Sequence, residues 1–170
     1  HYPDAEKALL KSFRLNAAQP DIATDLGSIY LKNGNIKNAF RYLKIAQTRN
    51  NNMHIVFNNL GAASAITGKN KQALDFWKQG LEKNPRLPET HVNMGVVYEK
   101  LGQNKKAIAA YQKALQWEAS NAMAHYNLGV IHAKEQDFLK AIGEWKLAHK
   151  FDKKDPNFLN SLAWAYEKID

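Results

Sequence analysis

Residues 88–121 read PETHVNMGVVYEKLGQNKKAIAAYQKALQWEASN. Inside this stretch a large residue and a glycine, Met94-Gly95, precede Tyr98, and Ala107 precedes Tyr111 and Ala114. The same pattern returns at a period of 34 residues on both sides. Leu26-Gly27 leads to Tyr30, Leu60-Gly61 to Ser64, and Leu128-Gly129 to His132. Ala39, Ala73, Ala107 and Ala141 keep the period, and each is followed four residues on by Leu43, Trp77, Tyr111 or Trp145. Ala46, Gly80, Ala114 and Ala148 close each unit. A fixed period of this length with no insertion marks an array of repeats, in which each unit buries its apolar face only against its neighbours.

Within a unit the apolar residues fall at helical spacing, as in Phe57, Leu60 and Ser64, then Ala73, Leu74, Trp77 and Leu81. Gly34, Gly68 and Gly102 sit between the two apolar segments, where a helix ends in a residue of positive φ. Gln136 interrupts that series and makes the fourth turn the exception. Pro3, Pro20, Pro88 and Pro156 stand at helix starts, and Pro85 in a connection. The spacing predicts about ten helices. Full repeats run over 20–53, 54–87, 88–121 and 122–155. Residues 1–19, with Ala5, Leu9 and Ser12 in register, and 156–170, with Leu159, Leu162, Ala163 and Tyr166, fit half-repeats. The expectation is a single array, 1–170, that is part of a longer protein.

The pattern resembles the tetratricopeptide repeat, and the resemblance covers the whole chain. It implies an all-α fold, a right-handed superhelical solenoid of antiparallel helix pairs. It also implies a concave groove lined by positions 2, 5, 6, 9, 12 and 13 of each first helix. Position 6 then places Asn59, Asn93 and Asn127 one repeat apart, after Asp25 and before Ser161. This resembles an asparagine ladder that grips the main chain of an extended ligand, since a carboxamide both donates and accepts. The alternative is that these asparagines bond within the helices. Asn58, Ile66, Val92, Val96, Met123, Tyr126, Val130 and Trp164 surround the ladder as candidate apolar contacts, with Tyr126 and Trp164 as anchors. The first full repeat offers Asp21, Thr24, Asp25 and Ser28 instead, which puts the main binding region in repeats two to four.

Position 13 reads Lys32, Ile66, Lys100, Lys134 and Lys168. Lys100 and Lys134 face either a ligand carboxylate or only solvent, and Asp21, Asp25, Glu89, Glu99 and Glu167 on the same face bring its charge close to zero. Repeats that clamp chaperone C-terminal tails carry Lys and Asn at positions 5 and 9. Here those pairs are Thr24/Ser28, Asn58/Ala62, Val92/Val96 and Tyr126/Val130, so such tails are not expected partners.

Composition bounds the remaining classes. The chain has 170 residues, 45% hydrophobic and 11% aromatic, which excludes disorder. A mean hydropathy of −0.54 and the lack of a long uncharged apolar run give no transmembrane segment. Zero Cys removes disulfides, thiolate metal sites and cysteine nucleophiles. His91 and His125 occupy equivalent packing slots and His132 replaces a tyrosine; with no HExxH, they read as packing residues and no metal or cofactor is expected. His1 and His54 suggest no chemistry. No phosphate-cradling glycine motif, nucleophile elbow or paired carboxylates occur, so the chain is not expected to be an enzyme.

The net charge of +8 falls mainly on second helices, as at Lys140, Lys146 and Lys150. Nucleic acid is not an expected partner, because the aromatics occupy core slots rather than alternating with the charge. An anionic membrane surface is a weaker alternative to charge serving solubility. The expected function is a non-catalytic adaptor binding an extended or helical segment of another protein. The alternatives are a self-associating scaffold and the recognition arm of an enzyme whose catalytic domain lies elsewhere.

Overall fold

The structure, a computed structural model, describes residues 2–16, 19–50 and 53–169, with side chains from residue 6 onward. His1 and the Ala5 side chain therefore lie outside the described residues. Ten helices and no strand occur among those described: α1 (Tyr2–Leu15), α2 (Pro20–Lys32), α3 (Ile36–Arg49), α4 (His54–Ile66) and α5 (Asn70–Lys83), then α6 (Pro88–Lys100), α7 (Asn104–Trp117), α8 (Ala122–Lys134), α9 (Phe138–Phe151) and α10 (Pro156–Tyr166). They form two compact units, His1–Pro85 and Arg86–Asp170. The chain is an all-α array of helix pairs, α2 with α3 and α4 with α5 in the first unit, α6 with α7 and α8 with α9 in the second.

Local chemistry sets the helix boundaries. Pro20, Pro88 and Pro156 each occupy a first helical turn, where the missing N–H costs nothing. Asn35, Asn121, Asp137 and Asp155 cap the next helices by accepting from the backbone N–H of Asn38, Ala124, Lys140 and Asn157. Gly34, Gly68 and Gly102 have φ of 73°, 75° and 70°. Gln136 adopts φ 63° in the fourth turn, so the turn survives the loss of its glycine. Gln136 N–H donates to Ala133 O at 3.0 Å and Asp137 N–H to His132 O at 2.9 Å, as Gly34 and Asn35 donate to Leu31 and Tyr30.

The helix pairs lock through a glycine on the first helix and a large side chain on the second. A Cβ on Gly27 would collide with Leu43, on Gly61 with Trp77, on Gly95 with Tyr111 and on Gly129 with Trp145. Each glycine therefore sets how closely its pair approaches. Trp77 and Tyr111 are almost wholly buried, each contributing roughly 2–3 kcal/mol by the area removed from water. Their polar ends are satisfied from the first helix. Trp77 Nε1–H donates to Asn58 O at 3.1 Å, Trp145 Nε1–H to Tyr126 O at 3.0 Å, and the Tyr111 hydroxyl to Glu99 Oε1 at 2.6 Å.

The core of the first unit gathers Leu26, Tyr30, Tyr42, Leu43, Phe57, Leu60 and Phe76. In the second unit Tyr111, Leu128 and Ile131 form one cluster, and Ile142, Trp145 and Leu162 another.

Candidate functional site

The helix pairing fixes which first-helix residues stay available. In the first unit, Thr24 is buried and its hydroxyl donates to Pro20 O at 2.8 Å, while Ser28 Oγ donates to Thr24 O at 2.8 Å. Both hydroxyls satisfy their own helix. Asn59 Nδ2–H donates to Ser28 Oγ at 2.7 Å, so this asparagine ties α4 to α2. Asn58 is half-buried, and Ile66 is exposed at the end of α4.

In the second unit, α6 and α8 form a hollow of about 320 Å³ lined by Glu89, Val92, Asn93, Asn121 and Met123. Val92 is only 7% exposed and forms its apolar wall, whereas Met123 is 47% exposed at the side. Asn93 is exposed and lines the same hollow. The repeat register alone selects Val92, Asn93 and Met123. It marks Glu89 only as a charge on that face and does not single out Asn121. Asn121 is held by three bonds: Oδ1 accepts from Ala124 N–H at 3.0 Å, Nδ2–H donates to Glu118 Oε2 at 2.7 Å, and its backbone N–H donates to Glu118 O at 3.0 Å.

Asn127 is half-buried, and its Nδ2 is buried without a hydrogen-bond partner. Ser28, the partner of Asn59, corresponds by the repeat to Val96, which offers no acceptor. Val96 packs on the cluster around Tyr111. A buried amide N–H without a partner costs about 1–3 kcal/mol.

The other selected residues are more deeply engaged. Tyr126 lies between Trp145, at 6.4 Å between ring centroids, and Phe158, at 5.2 Å. Val130 packs with it against Ile142 and Leu162. Trp164 is exposed on one side and makes edge contacts with Phe138 and Trp145. Lys100 is exposed. Lys134 Nζ donates to Glu99 Oε2 at 2.9 Å, and Glu99 accepts from Tyr111 at the same time. Burial, followed by that bond and the charge of Glu99, pushes the Tyr111 phenol far above its usual range.

His125 is buried, with Nδ1 2.7 Å from Glu144 Oε2 and Nε2 3.1 Å from Ala119 O. Its ring stacks on Phe151 at 5.7 Å. It thereby joins α8 to α9 and to the connection that carries Asn121. No group of three His, Asp or Glu among the described residues is placed to hold a metal.

A family model described as TPR repeat, the tetratricopeptide repeat, matches residues 100–136. Among solved structures, MamA is 21% identical with a TM-score of 0.80, over 90% of each chain. A thermophilic TPR protein of Thermus thermophilus is 23% identical with a TM-score of 0.77, over 97% of this chain and 90% of its own. YrrB, described as a TPR protein with an unusual peptide-binding site, is 16% identical with a TM-score of 0.77, over 96% and 84%. No curated protein sequence matches the chain. The chain has the fold of a tetratricopeptide-repeat array, an all-α fold that in general supports protein–protein interaction.

Proposed function

We propose that this protein is a non-catalytic interaction module that holds an extended or helical segment of another protein against α6 and α8. The observation that carries the reading is the hollow of about 320 Å³ that brings Val92 and Met123 together with the exposed Asn93. An apolar ligand side chain enters it while Asn93 bonds the ligand's main chain, with Asn127 the next residue of the same register. The likeness to a repeat protein with a peptide-binding site adds support. Lys134 is already paired with Glu99 and plays a smaller part.

The test is selection of a random displayed peptide library on the native chain. Recovered peptides are then measured by fluorescence anisotropy against the native chain and an Asn93→Ala/Met123→Ala/Asn127→Ala variant. A loss of about tenfold or more in affinity supports the reading. Peptides that bind both proteins equally overturn it.

A second reading, a self-associating scaffold, is favoured by the exposed apolar residues of α10, Leu159, Trp164 and Tyr166. Sedimentation velocity over a concentration series decides it: a mass that rises with concentration supports the scaffold, and a constant monomer removes it.

A further inference from the structure

The outward face of α9 departs from the other second helices. At the slot of Leu139 the first three repeats carry Lys37, Lys71 and Lys105. Leu139 is 73% exposed, and Leu147 and Phe151 are also exposed. Helical spacing places Leu139, Lys146, Leu147 and Lys150 on one stripe around Gly143, where a Cβ would meet nothing.

The charge on this stripe is one-signed. Lys146 and Lys150 are exposed, and Lys153 and Lys154 follow at the helix exit. Two of the acidic groups nearby are paired with other side chains, and the third, the exposed Asp152, lies at the helix exit. Glu144 bonds His125, Asp137 bonds Lys140 at 2.6 Å, and Asp152 Oδ1 accepts from the Lys154 backbone. Leucines set between lysines on the outward face of a helix are what an interfacial helix presents to a bilayer. The leucines enter the acyl boundary while the lysine stems lie along it and keep their ammonium groups at the lipid phosphates. RNA would use the lysines but gains nothing from exposed leucines, which neither stack on bases nor bond phosphates.

We propose that the Leu139–Lys154 face of α9 docks this protein on an anionic membrane surface. The face belongs to the second helix of its repeat, so the proposal stands independently of peptide binding at α6 and α8.

The test is co-sedimentation of the native chain with phosphatidylcholine vesicles, with and without phosphatidylserine, alongside two variants that import residues already tolerated in α7. Leu139→Lys/Leu147→Lys supplies the equivalents of Lys105 and Lys113, and Lys146→Gln/Lys150→Gln those of Gln112 and Gln116. Circular dichroism confirms that both stay helical. The native chain is expected to sediment with the phosphatidylserine vesicles and not with the neutral ones. Losing two lysines weakens partitioning by about fivefold each. The leucine variant also weakens, although its charge has risen. Equal or stronger binding by the leucine variant overturns the proposal in favour of plain polycation adsorption. Absence of native binding to the phosphatidylserine vesicles also overturns it, including when a fluorescent single-stranded RNA does bind.

Discussion

Asn59 gives its side-chain amide to Ser28, 2.7 Å away on the preceding first helix, whereas the equivalent amide of Asn127 is buried with no partner. Two residues that look alike in the repeat register therefore carry opposite energies. Asn59→Ala removes a bond between α4 and α2 and is expected to cost about 1 kcal/mol. Asn127→Ala removes only a desolvated donor and is expected to be neutral or stabilising. Urea unfolding of the two variants checks this contrast. A cost at Asn127 as large as that at Asn59 would mean that its amide is structural, and would weaken its assignment to ligand binding.

Gln136 turns the chain at φ 63° where the other three repeats use glycine. A side chain there costs roughly 1–2 kcal/mol. Glycine instead adds freedom to the unfolded chain, worth about 0.4–1 kcal/mol in the opposite direction. The conformational relief is the larger, so Gln136→Gly is expected to stabilise by about 0.5–1 kcal/mol. Gln136→Pro, with φ fixed near −65°, is expected to destabilise sharply. Thermal unfolding of both variants reads the two signs.

The repeat period made the helix pairing legible because glycine and bulk must face each other in every unit: Gly61 with Trp77, Gly129 with Trp145. The fourth turn was less legible, since the sequence shows a missing glycine but not the backbone bonds from Gln136 and Asp137 that preserve the turn. His125 and Glu144 occupy slots that hold Phe57 and Phe76 two repeats earlier. An apolar contact replaced by a polar one was the available signal for their bond.

Side-chain competition at the candidate site was not legible. Tyr126 counts as an anchor by position, but Trp145 and Phe158 lie close enough to claim its ring. Glu89 and Asn121 enter the hollow only once α6 and α8 are set side by side.

Gly95 faces Tyr111 so closely that a Cβ would overlap the phenol ring. Tyr111 has little room to move, being fully buried and bonded to Glu99. Gly95→Ala is therefore expected to cost about 1–3 kcal/mol through overpacking. In Gly143→Ala the added Cβ meets nothing, and the helix gains about 0.5–1 kcal/mol in propensity. Urea unfolding should separate the two. Equal effects would show that Gly95 does not set the spacing of α6 and α7.

Tyr30 and Tyr111 make alkaline stability the last test. Burial, then the hydrogen bond and charge of Glu6, pushes the Tyr30 phenol up to about 12, and Tyr111 is raised by burial and by Glu99. An unfolded phenol ionises near pH 10. A folded phenol held neutral above that value contributes stability that is complete below pH 10 and is lost as pH climbs through the folded value. Unfolding free energy is therefore expected to decline from about pH 10 upward, through about pH 12 for Tyr30 and beyond it for Tyr111. Tyr111→Phe is expected to cost about 1 kcal/mol at pH 7, where its bond to Glu99 is lost, and to make the alkaline decline shallower. Urea unfolding across this range, with tyrosinate absorbance followed in parallel, checks both. Ionisation of Tyr111 near pH 10 with the helices intact would show that Glu99 and burial do not hold the phenol neutral.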